Sequence, residues 1–174
     1  MGKRAILVHG YGVRGFFWSA LKEELRGDFG EILTPDFEME SVEDGVTTLT
    51  ELVHREREQS GQPVVLVGHS LGGVISALTA QRMSRDEVSH LVVIAAPYGN
   101  VHSGGVSKLM RLAVRFGVIP GWLIRPRFFG REVPKDKQKE LFAKAVKESK
   151  GLQDLSQQDR WFHTGAFSEP LNQA

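Results

Sequence analysis

The chain contains no cysteine, and this absence excludes both a disulfide framework and thiolate chemistry. Long apolar runs are missing as well. The run at residues 5–8 is too short for the core of a signal peptide or for a membrane span. We therefore expect a cytoplasmic protein.

Sequence motifs for metals, phosphates and nucleic acids are also absent. The sequence has neither H-E-x-x-H nor G-x-x-x-x-G-K-[ST], and it contains no recognisable nucleic-acid-binding module. We therefore expect no metal, no cofactor and no nucleic-acid partner. Nothing in the sequence pattern predicts the oligomeric state.

The charges of the chain nearly balance, but they are unevenly distributed. The net charge is +1, yet residues 1–105 contain 9 Lys and Arg against 14 Asp and Glu, whereas residues 106–150 contain 12 against 4. With 41% hydrophobic residues, the 174-residue chain has the composition of a single globular domain. We expect an acidic core over residues 1–105, followed by a helical cap and tail over residues 106–174.

Short apolar runs alternate with helical patterns in the first half of the chain. The runs that are typical of buried strands lie at residues 5–8, 31–34, 64–67 and 91–95. One of the intervening helices opens at Ser41, where Asp44 completes a capping box. The alternation predicts an α/β fold, a three-layer αβα sandwich around a mostly parallel sheet. After residue 96 the pattern predicts only helices, over 109–116 and 138–148.

The third apolar run leads directly into a G-x-S-x-G motif at residues 68–72, followed by a helical pattern. In this strand-turn-helix context the motif indicates a serine nucleophile, Ser70, on a sharp and strained turn. Gly68 and Gly72 relieve the crowding between strand and helix. The turn would raise the Ser70 hydroxyl above the sheet and place the Leu71 amide where an oxyanion develops. The structural alternative is a glycine-rich turn that merely opens a core helix.

A second motif, His9-Gly10-Tyr11-Gly12, follows the first run, and together with residues 68–73 it resembles the α/β-hydrolase superfamily, among its lipase-like and esterase-like members. Residues 34–36 and 94–99 also resemble that superfamily's pattern, so the likeness covers residues 4–100. It implies cleavage of an ester or other acyl substrate through an acyl-Ser70 intermediate. It further implies an oxyanion hole made by the backbone amides of Tyr11 and Leu71. The residues that would shape the site are His9, Gly10, Gly68, His69 and Gly72.

The glycines of the first loop also permit a different interpretation. Gly10, Gly12 and Gly15 form G-x-G-x-x-G after a strand, and Asp36 follows the next strand. In a dinucleotide-binding domain, such glycines let the backbone approach a pyrophosphate, and Asp36 would bind the ribose hydroxyls. We favour the hydrolase interpretation because the dinucleotide hypothesis leaves the G-x-S-x-G turn unexplained.

The catalytic acid and base are not evident from the sequence. In this superfamily the order along the chain is Ser, acid, His. Asp159 and His163 satisfy this order, and His102 is a weaker candidate for the base. His90 precedes the fourth predicted strand, and His69 flanks the nucleophile on a sharp turn, so both are interpreted as structural. The later strands that normally carry the acid and the histidine are absent. The simplest explanation is a truncated fold, and if the fold is truncated we expect negligible turnover. The alternative to a hydrolase is a non-catalytic fragment or pseudoenzyme that binds a ligand or partner.

Residues 106–131 combine large apolar side chains with a series of Lys and Arg residues. This pattern is typical of a cap over an acyl pocket, or of a basic amphipathic segment that contacts a membrane surface weakly. The alternative is an ordinary cap helix that packs on the acidic core and leaves its cations in water.

Overall fold

The structure, a computed structural model, describes residues 2–96 and 132–144. Its centre is one four-stranded sheet with the order β2-β1-β3-β4, in which every neighbouring pair of strands is parallel. The strands are β1 (Arg4–Val8), β2 (Glu31–Leu33), β3 (Val64–His69) and β4 (Val88–Ile94). The predicted α/β class with a parallel sheet is confirmed.

Helices connect the strands and cover both faces of the sheet. A short 3₁₀ helix, Gly15–Trp18, continues directly into the first α-helix. The α-helices are α1 (Ser19–Glu24), α2 (Val42–Ser60), α3 (Leu71–Gln81) and α4 (Lys135–Ala143). Helix α4 begins three residues before the predicted start at residue 138, directly after Pro134. In the part of the chain that the structure describes, no helix combines the length and the hydropathy that a membrane span requires.

The start of α2 matches the predicted capping box with one difference. The Ser41 hydroxyl oxygen accepts a hydrogen bond from the Asp44 N–H at 3.1 Å. The Asp44 carboxylate in turn accepts from the N–H of Glu40 at 3.0 Å, not from that of Ser41. The helix ends at Ser60 and is capped by Gly61, whose φ of +67° places it in the left-handed region that favours glycine.

Successive residues of the strands pack into two separate cores. Ile6, Val8 and Leu66 face α2 and α3, where they meet the buried residues Val46, Leu49, Val53 and Ile75. The alternate residues on the opposite face, Ala5, Leu7, Val65 and Val67, pack against Trp18 and, partly buried, Leu21 and Leu25. The alternation gives the three layers of the predicted sandwich and holds the carboxyl ends of β1 and β3 side by side.

Strand β4 differs from its prediction in both position and exposure. It begins at Val88, three residues earlier than expected, so His90 lies inside the strand opposite Val65 and does not precede it. Among the described residues β4 forms the edge of the sheet, where polar side chains are tolerated. Its second half is apolar and exposed, with Val92 at 45% and Val93 and Ile94 at 39%.

Several predictions from the sequence fall outside the described residues. These are the boundary between core and cap at residues 105 and 106, the helix at 109–116, the end of the helix at 138–148, and the basic segment at 106–131.

Candidate functional site

Ser70 occupies the turn between β3 and α3 in a strained backbone conformation. Its φ is +52° and its ψ is −119°, a region that non-glycine residues rarely adopt. Such a conformation costs about 1–3 kcal/mol and persists only where the surroundings enforce it. Here the Ser70 N–H donates to the Ile94 carbonyl at 2.9 Å, and the Ser70 carbonyl accepts from Gly73 at 3.0 Å. Strand β4 and helix α3 therefore hold the turn from both sides.

Glycines let the first turn of α3 lie directly on the strands. A Cβ atom at Gly72 would lie 2.3 Å from the Val8 carbonyl oxygen and 2.4 Å from that of His9. A Cβ atom at Gly68 would lie 2.4 Å from the Gly72 carbonyl oxygen. Both obstacles are backbone atoms, so a larger residue at either position must displace the helix from the sheet.

The loop after β1 passes directly beside Ser70. A Cβ atom at Gly10 would lie 3.2 Å from the Cβ of Ser70 and 3.1 Å from the Nδ1 of His69. Gly12 then turns the chain with a φ of +74°. The two segments that the sequence predicts to form the site, residues 9–12 and 68–72, are thus brought together at the carboxyl edge of the sheet.

His9 fixes the conformation of this loop. Its side chain is 1% exposed, and its Nε2 accepts a hydrogen bond from the Phe37 N–H at 3.0 Å. Because Nε2 is an acceptor, the ring proton is on Nδ1, which donates to the Gly10 carbonyl at 2.9 Å. His9 is therefore a neutral imidazole that ties the loop after β1 to the loop after β2. With both nitrogens occupied, it has no free acceptor for a proton from Ser70.

His69 packs as an aromatic ring. It stacks on Phe17 with a centroid separation of 4.7 Å and meets Trp18 edge-on at 6.4 Å. Among the described residues its Nδ1 is buried and has no hydrogen-bond partner. Burial lowers the pKa of His69 below its usual value, so the ring is neutral at pH 7. Sequence reasoning missed Phe17, although the aromatic run at residues 16–18 after a glycine-rich loop was a visible signal.

Backbone amides of two segments lie on either side of the turn. Leu71 is the first residue of α3, and amides in the first helical turn have no carbonyl partner within their own helix. The partial positive charge of the helix N-terminus adds to their attraction for an anion. On the opposite side, Tyr11 follows Gly10 in the loop that adjoins Ser70. The sequence resemblance implies that these two amides are the oxyanion donors, and this role stays a prediction.

The G-x-G-x-x-G arrangement of the first loop is explained by packing. A Cβ atom at Gly15 would lie 2.2 Å from the Thr34 carbonyl oxygen, so the loop contacts the end of β2 there. The Asp36 carboxylate, which would bind a ribose in a dinucleotide-binding domain, accepts a hydrogen bond from the Gly15 N–H at 2.6 Å. The motif thus joins the loop after β1 to the loop after β2 through contacts of Gly15 with Thr34 and Asp36.

The predicted acid and base are not part of the described structure. Asp159, His163 and the weaker candidate His102 lie outside the described residues. Within residues 2–96 and 132–144, the Ser70 hydroxyl has no histidine or carboxylate as a hydrogen-bond partner.

Comparisons with known proteins agree with this fold. The sequence model of the alpha/beta hydrolase family matches residues 5–169. No curated protein sequence matches the chain. Among solved structures, an extracellular alpha/beta-hydrolase from a Paenibacillus species is 18% identical, with a TM-score of 0.65 over 84% of this chain and 66% of the other.

Two further solved structures are similar. A monoacylglycerol lipase from Paleococcus ferrophilus is 18% identical, with a TM-score of 0.59 over 90% of this chain and 66% of the other. A lipase-esterase related protein from Clostridium acetobutylicum is 16% identical, with a TM-score of 0.67 over 89% and 65%. At these identities the likeness shows the fold. The chain spans slightly less than two thirds of the length of the three proteins.

Proposed function

Because this chain belongs to the alpha/beta hydrolase family, we propose that it is a serine hydrolase that cleaves esters or other acyl substrates through an acyl-Ser70 intermediate. The observation that carries the proposal is the backbone of Ser70, whose positive φ is maintained between β3 and α3. A turn that served only to open a helix has no need for this strain. Strained backbone at a serine between strand and helix is the geometry of a nucleophile elbow.

The proposed reaction has two steps. In the first, the Ser70 Oγ attacks the substrate carbonyl and gives its proton to a base, and the alcohol or other leaving group departs with a proton. In the second, water attacks the acyl-Ser70 ester, releases the acid and restores the serine. The amides of Leu71 and Tyr11 would stabilise the oxyanion in both steps. Each such donor contributes about 3 kcal/mol of transition-state stabilisation when it is correctly placed.

The base in this scheme remains a prediction from chain order. His163, oriented by Asp159, is the candidate that follows Ser70 in the order Ser, acid, His. Neither His9 nor His69 is suited to the role: both His9 nitrogens are occupied, and the His69 ring is stacked on Phe17. The cytoplasmic location and a weak membrane contact through residues 106–131 likewise remain predictions from the sequence.

Ligand binding without turnover is the second candidate function. It is favoured by one observation, that the Ser70 hydroxyl has no basic partner among the described residues. A serine without its base is a weak nucleophile, so such a protein would retain the turn but would not form the acyl intermediate.

Labelling with a fluorophosphonate, combined with hydrolysis of p-nitrophenyl butyrate, tests the proposal. We expect the wild-type chain to be labelled at Ser70 and to release p-nitrophenol, and Ser70→Ala to do neither. Ser89→Ala is the matched control, because Ser89 lies at the opposite end of the sheet in β4. It should behave as the wild type. A folded wild-type chain that is neither labelled nor active contradicts the hydrolase proposal and supports binding without turnover.

A further inference from the structure

Phe17 is an aromatic side chain left exposed beside the proposed nucleophile. It is 42% exposed, and among the described side chains it is the one exposed Phe, Tyr or Trp. Its neighbour Trp18 is buried in the core below the sheet. A single exposed apolar residue is common on protein surfaces. The packing and the position of Phe17 distinguish it from such residues.

The Phe17 ring is held in a fixed orientation. One face stacks on His69 at a centroid distance of 4.7 Å, and Trp18 meets the ring edge-on at 5.0 Å and 81°. The backbone is also constrained, because the Phe17 N–H donates to the Arg14 carbonyl at 2.9 Å. A ring fixed in this way loses little conformational entropy when a ligand packs against its open surface.

The position of this ring follows from its contact with His69. His69 directly precedes Ser70. Both residues lie beside Gly10 in the loop after β1, where an added Cβ atom would lie 3.1 Å from the His69 Nδ1 and 3.2 Å from the Ser70 Cβ. The Phe17 ring therefore adjoins the turn that carries Ser70. A group attached within a few bonds of a carbonyl at Ser70 would be within reach of it.

The two rings that support Phe17 are uncharged, and each buries a nitrogen atom. Among the described residues, His69 Nδ1 and Trp18 Nε1 are buried without hydrogen-bond partners. The cluster also carries no charge at neutral pH, because burial keeps His69 in its neutral form. An uncharged aromatic group is the ligand that such a surface favours.

We infer that Phe17, backed by His69 and Trp18, forms a binding subsite for an uncharged aromatic group of the substrate. The inference rests on the proposed function and specifies it: the preferred esters carry a phenyl or benzyl group in the acyl or the alcohol portion. The aromatic ring of the substrate packs against the exposed surface of Phe17 while its carbonyl lies at Ser70.

Matched aromatic and saturated esters test the subsite. The acyl portion is examined with methyl phenylacetate against methyl cyclohexylacetate, and the alcohol portion with benzyl acetate against cyclohexylmethyl acetate. We expect the wild type to prefer the aromatic member of one pair by about fivefold in kcat/KM, the magnitude of one aromatic contact. Phe17→Leu retains apolar volume but removes the ring, and it should bring the ratio close to one. Phe16→Leu, a neighbouring ring not stacked on His69, should leave the ratio unchanged.

A binding measurement separates failure of the subsite from failure of the hydrolase proposal. Phenylacetamide and cyclohexylacetamide are titrated into Ser70→Ala while the NMR signals of the Trp18 indole and the His69 ring are followed. We expect saturable shifts and an affinity for phenylacetamide about fivefold higher than for cyclohexylacetamide. These shifts should be lost when Phe17→Leu is added. Equal affinity for the two amides, or absence of shifts at both rings, overturns the inference even if esters are hydrolysed. Aromatic binding without labelling of Ser70 retains the subsite and overturns the hydrolase proposal.

Discussion

At the scale of single residues, backbone strain marks the end of two adjacent strands. Within the described part of the chain, Ser70 and Ala95 are the non-glycine residues with positive φ, +52° and +48°. The two are linked, because the Ser70 N–H donates to the carbonyl of Ile94, the residue before Ala95. The conformation of the proposed nucleophile therefore depends on how β4 ends.

The strain at Ser70 can be measured by comparing two substitutions. Glycine adopts a positive φ without a steric penalty, whereas alanine keeps the Cβ atom. We expect Ser70→Gly to exceed Ser70→Ala in free energy of unfolding by about 1 kcal/mol, measured by urea denaturation. At Thr48, an exposed residue within helix α2, the order should be reversed, because glycine in a helix costs about 1 kcal/mol relative to alanine. Equal stability of the two Ser70 variants would show that the strain is not present in solution.

His69 gives the stability of the protein a dependence on pH. Its pKa is lowered by burial, so the unfolded chain takes up a proton at a higher pH than the folded chain does. The contribution of neutral His69 to the free energy of unfolding is complete above about pH 6.5, the pKa in the unfolded chain. It is lost as the pH falls from there through the pKa of His69 in the folded protein. We expect the stability difference between wild type and His69→Gln to shrink as the pH falls over that range, measured by urea denaturation at several pH values. A difference that is independent of pH contradicts this.

At the scale of elements, the site depends on how closely α3 lies against the sheet. The contacts between the helix and the ends of β1 and β3 are made by backbone atoms, with Gly68 and Gly72 at the closest points. The proposed oxyanion donor, the Leu71 amide, belongs to the first turn of α3. Any shift of the helix therefore also shifts this amide.

Gly72→Ala tests this dependence. The added Cβ atom would overlap the carbonyl oxygens of Val8 and His9, so the helix must move. We expect a loss of at least about 2 kcal/mol in the free energy of unfolding, together with slower fluorophosphonate labelling in the fraction that remains folded. Gly27→Ala is the control, because a Cβ atom there has nothing within 4 Å, and both properties should be retained. Normal labelling of Gly72→Ala would show that the position of the Leu71 amide does not depend on the packing of α3, and it would contradict this prediction.

The elements also show what the sequence could and could not predict. The apolar runs at β1 and β3 were found because both faces of these strands are buried, and Ser41 was found because its capping bond is local. The start of β4 was missed because Ser89 and His90 interrupt its apolar run at an edge that tolerates them. The Ser70 turn was recognisable from local spacing. The stacking of Phe17 on His69 was not, because it joins residues 52 positions apart through tertiary packing.

At the scale of the whole molecule, the two edges that the sheet has within the described residues differ. Strand β2 is three residues long, whereas β4 is seven residues long and exposes Val92, Val93 and Ile94. A long apolar edge without a neighbouring strand is a site of association between proteins. The exposed half of β4 is also the half that contacts the Ser70 turn.

We expect the chain to self-associate through this edge in a concentration-dependent manner. A lysine on an edge strand opposes pairing with a second strand, so Val92→Lys should shift the average mass toward the monomer. Sedimentation equilibrium over a range of concentrations measures this. Thr48→Lys adds the same charge on the exposed surface of α2 and should leave the association unchanged. A wild-type chain that stays monomeric throughout contradicts the prediction.

The hydrogen bonds of His9 have a consequence for engineering. Because His9 joins the Gly10 carbonyl to the Phe37 N–H, the loop beside Ser70 is anchored to the loop that follows β2. The anchor lies in the protein interior. We therefore expect substitutions at residues 34–37 to shift the loop that carries Tyr11, the proposed oxyanion donor, and so to change reactivity without replacing any group proposed to contact the substrate.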